Sequence, residues 1–438
     1  MRPLLLTGSL LLLSTFPASA QQADSAVPVA SAALFAPGTL TRRVASSLNR
    51  AQQYAVYLPS GYRPDRNWPV LLLLDPRGRA LVPMRLAQAS AERHGYVVLS
   101  SWNTLSDWDN QPNIDAMSAM LTDLQRIFAA DRSRLYLVGF SGTARFAWEE
   151  GSALRGTVAG VLGFGAGVPP GFQFTPPGTT GPLPFDYFGG AGTLDFNYEE
   201  LLTLDQELDR QRIAHRIRFY DGPHSWPPEK VMAEGIDWIE LRAMGRGLAP
   251  VDRAWVDSLF AQSMERAGAV AQAGDSVGAL REYRSIAADF SGLHDVTLAA
   301  ARSDALARSK AVKNALKAQV AMIQRNREYL ERLVTFLRRF RSGTPPSVAS
   351  SLKSLDIARL RREQESRQDT AAAFAAGRLL AHVQAAVGFY EPRDYLVEGD
   401  SARALALLEL AQAVHPNSGR SAAAAFRDLV SEIERRTP

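Results

Sequence analysis

The sequence predicts an α/β domain at residues 38–248, followed by an all-α domain at residues 249–438. In the first stretch, apolar runs rich in Val, Leu and Tyr alternate with amphipathic segments, and Gly and Pro mark the junctions. This alternation is typical of strands covered by helices. In the second stretch, Gly and Pro become rarer and Ala, Leu, Arg and Glu recur at helical spacing. A chain of 438 residues is also longer than one hydrophobic core usually serves.

The predicted strands of the first domain are short apolar runs. Residues 69–74 are continuously apolar, as expected of a strand covered on both faces of a parallel sheet. Residues 53–58 alternate instead and are followed by Pro59, which predicts an antiparallel edge strand. A helix is predicted over residues 114–128, because their apolar side chains share one face. The other predicted strands are residues 96–100, 134–138, 160–164, 185–188 and 213–220.

The N-terminus has the pattern of an export signal at residues 1–20. Arg2 gives it a positive start, residues 4–13 are apolar, and a small-x-small cleavage site follows at residues 18–20. A buried N-terminal helix is the alternative. Residues 21–37 are rich in Ala, Ser, Val and Pro and predict a flexible lead-in. We therefore expect a periplasmic or secreted protein, with no membrane span in the mature chain, because no later continuous apolar stretch has spanning length.

The composition excludes several classes of site. The sequence has no cysteine, so it forms no disulfide and carries no thiol nucleophile or cysteine metal site. Its six histidines are scattered without the His-x-x-x-His spacing of a zinc site, and no glycine-rich phosphate loop occurs. Positive and negative residues are interspersed, with a net charge of +4 and no dense basic block. We therefore expect no metal, no cofactor and no nucleic-acid partner.

A candidate nucleophile, Ser141, lies in segment 139–143 (GFSGT), between a predicted strand and a predicted helix. A serine on such a sharp turn needs small neighbours, which Gly139 and Gly142 provide. The segment resembles the nucleophile elbow of the α/β-hydrolase family, although Thr143 stands where the family pattern has a second glycine. The resemblance implies the α/β-hydrolase fold, a mostly parallel sheet with helices on both faces, and Ser141 as the nucleophile.

Two further residues complete a candidate catalytic triad. A serine nucleophile needs a base and an acid that orients it, and in this family the acid and then the histidine follow the serine along the chain. Asp195 and His224 each follow a predicted strand in that order, and Asp221 is the alternative acid. Segments 195–199 and 222–227 resemble loops of bacterial esterases related to polyester depolymerases. This resemblance covers about half of the chain and implies ester hydrolysis through a covalent acyl-enzyme.

The oxyanion that forms during such a reaction needs backbone N–H donors. In this family one donor is the N–H directly after the nucleophile, here Gly142, and another comes from the loop after an earlier strand. That loop begins with Asp75 and Pro76, where many relatives have His-Gly. Because proline lacks an N–H, Arg77 or Gly78 is the candidate second donor.

Three tryptophans are candidates for lining a substrate pocket. Trp102, Trp108 and Trp226 lie in loops expected at the carboxyl edge of the sheet, where pockets form in α/β folds. Ordinary packing of loop aromatics is the alternative for each of them, and both interpretations stay open.

The all-α domain contains two matching segments, residues 274–280 (GDSVGAL) and 399–405 (GDSARAL). In each, the glycine can end one helix and Asp or Ser can cap the next. They resemble the helical hairpins of tetratricopeptide repeats, which implies a domain able to bind a protein partner. Between them, apolar residues at three- and four-residue steps predict a long helix with a narrow seam, packed within the chain or against a partner. The seam consists of Leu316, Val320, Ile323, Leu330, Val334 and Leu337.

These observations predict an exported serine hydrolase that cleaves carboxylic esters of a small-molecule or polymeric substrate. Ser141, His224 and Asp195 are its expected nucleophile, base and orienting acid. A serine peptidase with the same triad is one alternative, because the fold alone does not choose ester over amide. A hydrolase domain that has lost activity and serves a helical protein-binding module is another. Thr143 and the missing His-Gly pair favour this last alternative, whereas the ordered triad favours an enzyme.

Overall fold

The computed structural model describes residues 27–107, 109–174, 183–368, 370–416 and 421–436. The predicted signal peptide and the first six residues of the predicted lead-in therefore lie outside the described residues. A short 3-10 helix, Ala32–Leu34, precedes the first strand.

One eight-stranded sheet forms the centre of the first half. Its strands are β1 Leu40–Ala45, β2 Gln53–Tyr57, β3 Trp68–Leu74, β4 Val97–Ser101, β5 Ala130–Phe140, β6 Val158–Phe164, β7 Asp186–Gly192 and β8 His215–Tyr220. Their order across the sheet is β1-β2-β4-β3-β5-β6-β7-β8. Strand β2 is antiparallel to both of its neighbours, whereas β3 to β8 run parallel to one another. The predicted fold class is confirmed.

Helices cover both faces of this sheet. They are α1 Leu81–His94, α2 Gln111–Ile127, α3 Gly142–Ala153, α4 Tyr198–Arg210 and α5 Glu229–Gly245. Strand β3 shows why its sequence is continuously apolar. Leu72 packs into the core beneath α2, α3 and α4, whereas Leu71 and Leu73 pack into the core beneath α1 and α5. Because successive side chains of a strand point to opposite faces, a strand covered on both sides needs apolar residues at every position.

The edge of the sheet differs from the prediction. Residues 53–58 were predicted to form an antiparallel edge strand, and β2 is antiparallel, but it lies inside the sheet because β1 pairs with its outer side. Strand β1 escaped prediction because Arg42 and Arg43 interrupt its apolar character. Both of these arginines are exposed, as suits an edge strand.

The second half of the described chain is helical. Its α-helices are α6 Arg253–Gln272, α7 Ser276–Asp289, α8 Thr297–Arg308, α9 Lys310–Ser342, α10 Val348–Ser354, α11 Ile357–Gln364, α12 Thr370–Ala385, α13 Glu391–Val397, α14 Ser401–Val414 and α15 Ala422–Arg436. A π-helical turn, Ala386–Tyr390, joins α12 to α13. One hydrophobic core joins Leu241 and Met244 of α5 to Val256 and Tyr283 of the helical half. The two halves therefore pack directly against each other.

The two matching segments of the helical half have the same local structure. Gly274 and Gly399 adopt φ angles of +85° and +82°, which favour glycine. The side chain of Asp275 then accepts a hydrogen bond from a backbone N–H of α7, and that of Asp400 does so for α14. Each segment is thus a tight turn between two helices, in which an aspartate caps the start of the second helix. The helices around them range from 7 to 33 residues, and the tetratricopeptide-like assignment stays a prediction.

One segment of the described chain, Thr370–Val397, is long and apolar enough to cross a membrane by length and composition alone, with a mean hydropathy of 1.2. Its side chains Leu379, Leu380 and Val383 belong to the main core of the helical half. Of its most apolar window, 44% is buried inside the protein.

Candidate active site

The sharp turn between β5 and α3 places Ser141 at the carboxyl edge of the sheet. Ser141 has φ +55° and ψ −127°, a conformation that few residues other than glycine adopt. Its neighbours must be small. A Cβ atom on Gly139 would lie 2.4 Å from the carbonyl oxygen of Thr143, and one on Gly142 would lie 2.4 Å from the Cβ of Ser106. Gly139 is therefore required by the turn itself, and Gly142 by the close approach of Ser106 from another loop.

Thr143, which departs from the family pattern, braces this turn. Its side chain is buried, and its hydroxyl accepts a hydrogen bond from the N–H of Phe140 at 3.1 Å. The same hydroxyl lies 2.5 Å from the carbonyl oxygen of Leu74, at the end of β3, and 2.9 Å from that of Phe140. A glycine here would make none of these contacts. Thr143, in place of the family's glycine, therefore links the elbow to the neighbouring strand β3 through its side chain.

The structure brings the three predicted triad residues together. The Nε2 atom of His224 lies 3.0 Å from the Oγ of Ser141. The Nδ1 atom of His224 lies 2.9 Å from each carboxylate oxygen of Asp195, whose side chain is fully buried. This geometry suits an imidazole that donates its Nδ1 proton to Asp195 and accepts the Ser141 hydroxyl proton at Nε2. The alternative acid, Asp221, is exposed.

Aromatic rings hold the imidazole of His224 between them. The centroid of the Phe140 ring lies 4.7 Å from that of His224, and the centroid of the Phe196 ring lies 4.2 Å away. The backbone N–H of Asn197 donates to Asp195 Oδ1 at 2.8 Å. The base and the acid are thus each fixed by a second contact, which limits the loss of alignment between them.

The loop after β3 is organised around a buried carboxylate, Asp75. Its Oδ1 accepts the backbone N–H of Arg77 at 2.8 Å and that of Arg79 at 3.1 Å. Its carbonyl oxygen accepts the N–H of Gly78 at 3.1 Å. The N–H groups of Arg77 and Gly78 are therefore already used within this turn, and their role as second oxyanion donor stays a prediction. The N–H of Gly142, in the first turn of α3, has no partner within its own helix by position.

The candidate pocket tryptophans Trp226 and Trp102 occupy different surroundings in the structure. Trp226 lines a cavity at Ser141 and donates its indole N–H to Asp75 Oδ2 at 2.8 Å. The ring of Trp102 instead packs against Arg43, and its indole N–H donates to the carbonyl oxygen of Arg42. Trp102 lines neither of the cavities that reach Ser141. The structure therefore favours the alternative interpretation of Trp102, ordinary packing, because the edge strand β1 offers its ring a cation and an acceptor. Trp108 lies outside the described residues.

Two cavities meet at Ser141. One, of about 630 Å³, lies between Gly142 and the side chains of Leu330, Val334 and Leu337, and is called the α9 cavity below. The other, of about 520 Å³, is lined by Arg77, His224, Trp226 and Phe389 and is called the Trp226 cavity. Tyr390 of the π-helical turn lines both cavities, and burial raises its pKa to about 12. Its hydroxyl group therefore stays protonated at neutral pH.

The helical half also holds the loop that carries Asp195. Arg378 of α12 donates to the carbonyl oxygen of Thr193 at 3.0 Å, and its guanidinium lies 4.4 Å from the ring centroid of Tyr198. The amide of Asn326 on α9 donates to Glu199. The loop from Thr193 to Glu199 is termed the acid loop below. It is fixed at both ends by side chains that come more than 100 residues later in the chain.

A second histidine lies on the far side of the acid loop. The ring of Phe196 lies between His224 and His382, with its centroid 5.5 Å from that of His382. Burial lowers the pKa of His382, which favours its neutral form. The side chain of His382 lies in the wall of the α9 cavity.

Sequence reasoning missed the contribution of the helical half to this site. The signal was present, because Leu330, Val334 and Leu337 belong to the predicted seam of the long helix. Val334 is 53% exposed on α9, and the face it shares with Leu330 and Leu337 points into the α9 cavity. Nothing in the seam's spacing indicated that it would lie opposite Ser141. Among the described residues, no group of three His, Asp or Glu side chains could hold a metal ion.

The sequence matches no protein-family model, and no curated protein sequence matches it. Among solved structures, it is similar to FphF, a fluorophosphonate-binding serine hydrolase of Staphylococcus aureus, at 15% identity and a TM-score of 0.38, over 46% of this chain and 98% of that one. A ferulic acid esterase matches at 15% identity and a TM-score of 0.37, over 47% and 98%. The Bacillus cereus carboxylesterase matches at 19% identity and a TM-score of 0.35, over 44% and 95%. The strand order and the elbow at Ser141 give the first half of this chain the α/β-hydrolase fold.

Proposed function

We propose that this protein is a serine hydrolase that cleaves carboxylic esters through an acyl-enzyme. The observation that carries the proposal is the relay from Ser141 Oγ to His224 Nε2 at 3.0 Å and from His224 Nδ1 to Asp195 at 2.9 Å. The relay starts from a serine held in a strained conformation on an elbow, which exposes the oxygen for attack. An inactive scaffold has no need to retain all three side chains in this geometry.

The reaction follows from these positions. Ser141 Oγ attacks the ester carbonyl carbon while its proton moves to His224 Nε2, and Asp195 stabilises the imidazolium that forms. The N–H of Gly142 donates to the oxyanion. The carbon–oxygen bond to the alcohol then breaks, and His224 returns its proton to the leaving oxygen. Water, deprotonated by the same histidine, attacks the acyl carbon. The bond to Ser141 Oγ then breaks, Oγ takes the proton back from His224, and the acid is released.

The size of the space around Ser141 favours esters over polypeptides. The two cavities, of about 630 and 520 Å³, fall within the range of about 300–1,000 Å³ that is typical of small-molecule sites. Helix α9 and the π-helical turn stand opposite the nucleophile, where an extended peptide strand would need an open groove. Export to the periplasm or the medium, as the first 20 residues indicate, is part of the same proposal.

The test is labelling of the purified mature protein with a fluorophosphonate, together with hydrolysis of p-nitrophenyl butyrate. Ser141→Ala should abolish labelling and lower kcat by roughly five to six powers of ten. Ser118→Ala, which alters an exposed serine on α2, is the matched control and should behave as wild type. A folded wild type that stays unlabelled, or a Ser141→Ala variant that is still labelled, would overturn the proposal.

The peptidase alternative is tested with two substrates that share one acyl group, an ester and an amide. An esterase should hydrolyse the p-nitrophenyl ester of a given acid but leave the matching p-nitroanilide almost untouched. Comparable values of kcat/KM for both substrates, lost together in Ser141→Ala, would establish the peptidase instead.

A further inference from the structure

We propose that the helical half determines which acyl group the enzyme accepts, by lining an apolar acyl site in the α9 cavity. The inference rests on the proposed function and deepens it, because it assigns the two parts of the ester to the two cavities. The acyl part lies in the α9 cavity, and the alcohol part lies in the Trp226 cavity.

The position of His224 decides which of the two cavities takes the acyl part of the ester and which takes the alcohol part. The leaving alcohol oxygen must come within hydrogen-bonding distance of His224 Nε2, because it takes its proton from that atom. His224 lines the Trp226 cavity and is absent from the described lining of the α9 cavity. Gly142, the proposed oxyanion donor, lines the α9 cavity instead. With the carbonyl carbon bound to Ser141, the alcohol therefore extends toward Trp226 and the acyl chain toward α9.

Two polar side chains that line the α9 cavity, Arg145 and Asn197, already have partners. Arg145 forms two hydrogen bonds with the carboxylate of Glu200, the second at 2.8 Å, and it donates to the carbonyl oxygen of Val168 at 2.7 Å. The side-chain amide of Asn197 donates to the carbonyl oxygen of Gly165 at 2.7 Å. A charged or hydroxyl-rich acyl group would have to compete with these contacts, which disfavours it.

At the cavity's rim, Asn110 donates to Glu149 at 3.1 Å, and both residues are exposed. The wall that the helical half contributes is mostly aliphatic. It consists of Leu330, Leu333, Val334, Leu337, Ala385 and Ala386, together with His382 and Tyr390. An apolar acyl chain is the chemistry that this wall fits, because its burial there removes apolar surface from water on both sides of the contact.

Val334 carries most of this specificity. It follows Leu330 by one helical turn and precedes Leu337 by another, so the three side chains share one face of α9. Leu333 belongs to the buried core behind them, whereas Val334 is 53% exposed. An apolar side chain that points into the cavity without being covered is positioned to be covered by the substrate. A larger side chain at this position should shorten the acyl site without disturbing the core.

The experiment measures kcat/KM for p-nitrophenyl acetate, butyrate, octanoate and dodecanoate. Val334→Trp should lower the octanoate-to-acetate ratio by roughly 10- to 100-fold, since one methylene in an apolar pocket changes selectivity by about 10- to 200-fold. Val334→Ala, a smaller change, should raise the dodecanoate-to-octanoate ratio. Val320→Trp is the matched control on the same helix, because Val320 is 61% exposed and lines neither cavity at Ser141. It should keep the wild-type profile.

The outcomes separate the two proposals. A wild type that neither reacts with the fluorophosphonate nor hydrolyses any ester defeats the proposed function, and this inference with it. An active wild type whose chain-length profile is the same in Val334→Trp and Val320→Trp defeats this inference alone. A uniform loss across all chain lengths in Val334→Trp would likewise overturn it, since a general disturbance of the site does not discriminate among acyl groups.

Discussion

The elbow that carries Ser141 and the loop that carries Asp195 are held in place in two different ways. The elbow is held by its own half of the chain: the N–H of Ser141 donates to the carbonyl oxygen of Phe164 at 2.8 Å, and the hydroxyl of Thr143 links it to Leu74. The acid loop is held by its own half, where the N–H of Leu194 donates to the carbonyl oxygen of Gly222 at 2.9 Å, and also by the helical half, through Arg378 at one end and Asn326 at the other. One half of the molecule therefore builds the nucleophile, and both halves together position the acid.

This difference bears on the part that the helical half plays in the proposed function. A domain that only docked a partner would have no reason to contact the acid loop or to line the α9 cavity. Arg378 reaches Thr193 across 185 residues of sequence, and His382 contacts Phe196, whose ring packs against that of His224. On the proposed function, the helical half is part of the active site, and its removal should impair activity as well as alter substrate range.

Within this comparison, the largest effect on kcat is expected from a change to Asp195 in the acid loop. Asp195→Asn should lower kcat by roughly four powers of ten, because an amide in place of the carboxylate disfavours the imidazole tautomer that accepts the serine proton. Asp221→Asn is the control, since Asp221 is the other acid near His224 in sequence and is exposed. Steady-state kinetics on p-nitrophenyl butyrate measure both. A loss of the same size in Asp221→Asn, with Asp195→Asn close to wild type, would assign the acid to Asp221.

The second largest effect on kcat is expected from the hydrogen bond between Arg378 of the helical half and Thr193. Arg378→Met removes the hydrogen bond to Thr193 and should lower kcat by roughly 10- to 100-fold, because small misplacements of catalytic groups have effects of this order. KM for a short ester should stay near the wild-type value, since Arg378 lines neither cavity at Ser141. Arg378→Lys should recover part of kcat, because it restores a cation and a donor at that position.

The matched control for this variant is Arg284→Met. Arg284 also joins the two halves, through Asp209 on α4 at 2.6 Å, but it does not contact the acid loop. As an exposed ion pair it is expected to contribute about 0–1 kcal/mol to stability and nothing to kcat. Equal kcat values for the two variants, measured well below their unfolding temperatures, would show that Arg378 has only a structural role.

The same contrast explains what could be predicted from the sequence. The elbow was predictable because its requirements are local: two glycines beside Ser141, between a strand and a helix. The order of Asp195 and His224 along the chain followed from the resemblance. The roles of Arg378, His382 and Val334 depend on how two halves of the chain pack, which no local pattern records. The two interpretations of Trp102 stayed open for a similar reason, since its partners lie on the unpredicted strand β1.

The smallest expected effect on catalysis comes from the elbow's own brace. Thr143→Val keeps the shape of the side chain but leaves the buried N–H of Phe140 and the carbonyl oxygen of Leu74 without this partner, which costs about 1–3 kcal/mol. Urea unfolding followed by tryptophan fluorescence should therefore shift to lower urea, while Thr143→Ser, which keeps the hydroxyl, shifts less. The value of kcat should fall less than in Arg378→Met, because the glycines and the Ser141–Phe164 hydrogen bond still fix the turn. A variant as stable as wild type but slower than Arg378→Met would reverse this expectation, and would mean that the elbow depends on Thr143 for alignment rather than for stability.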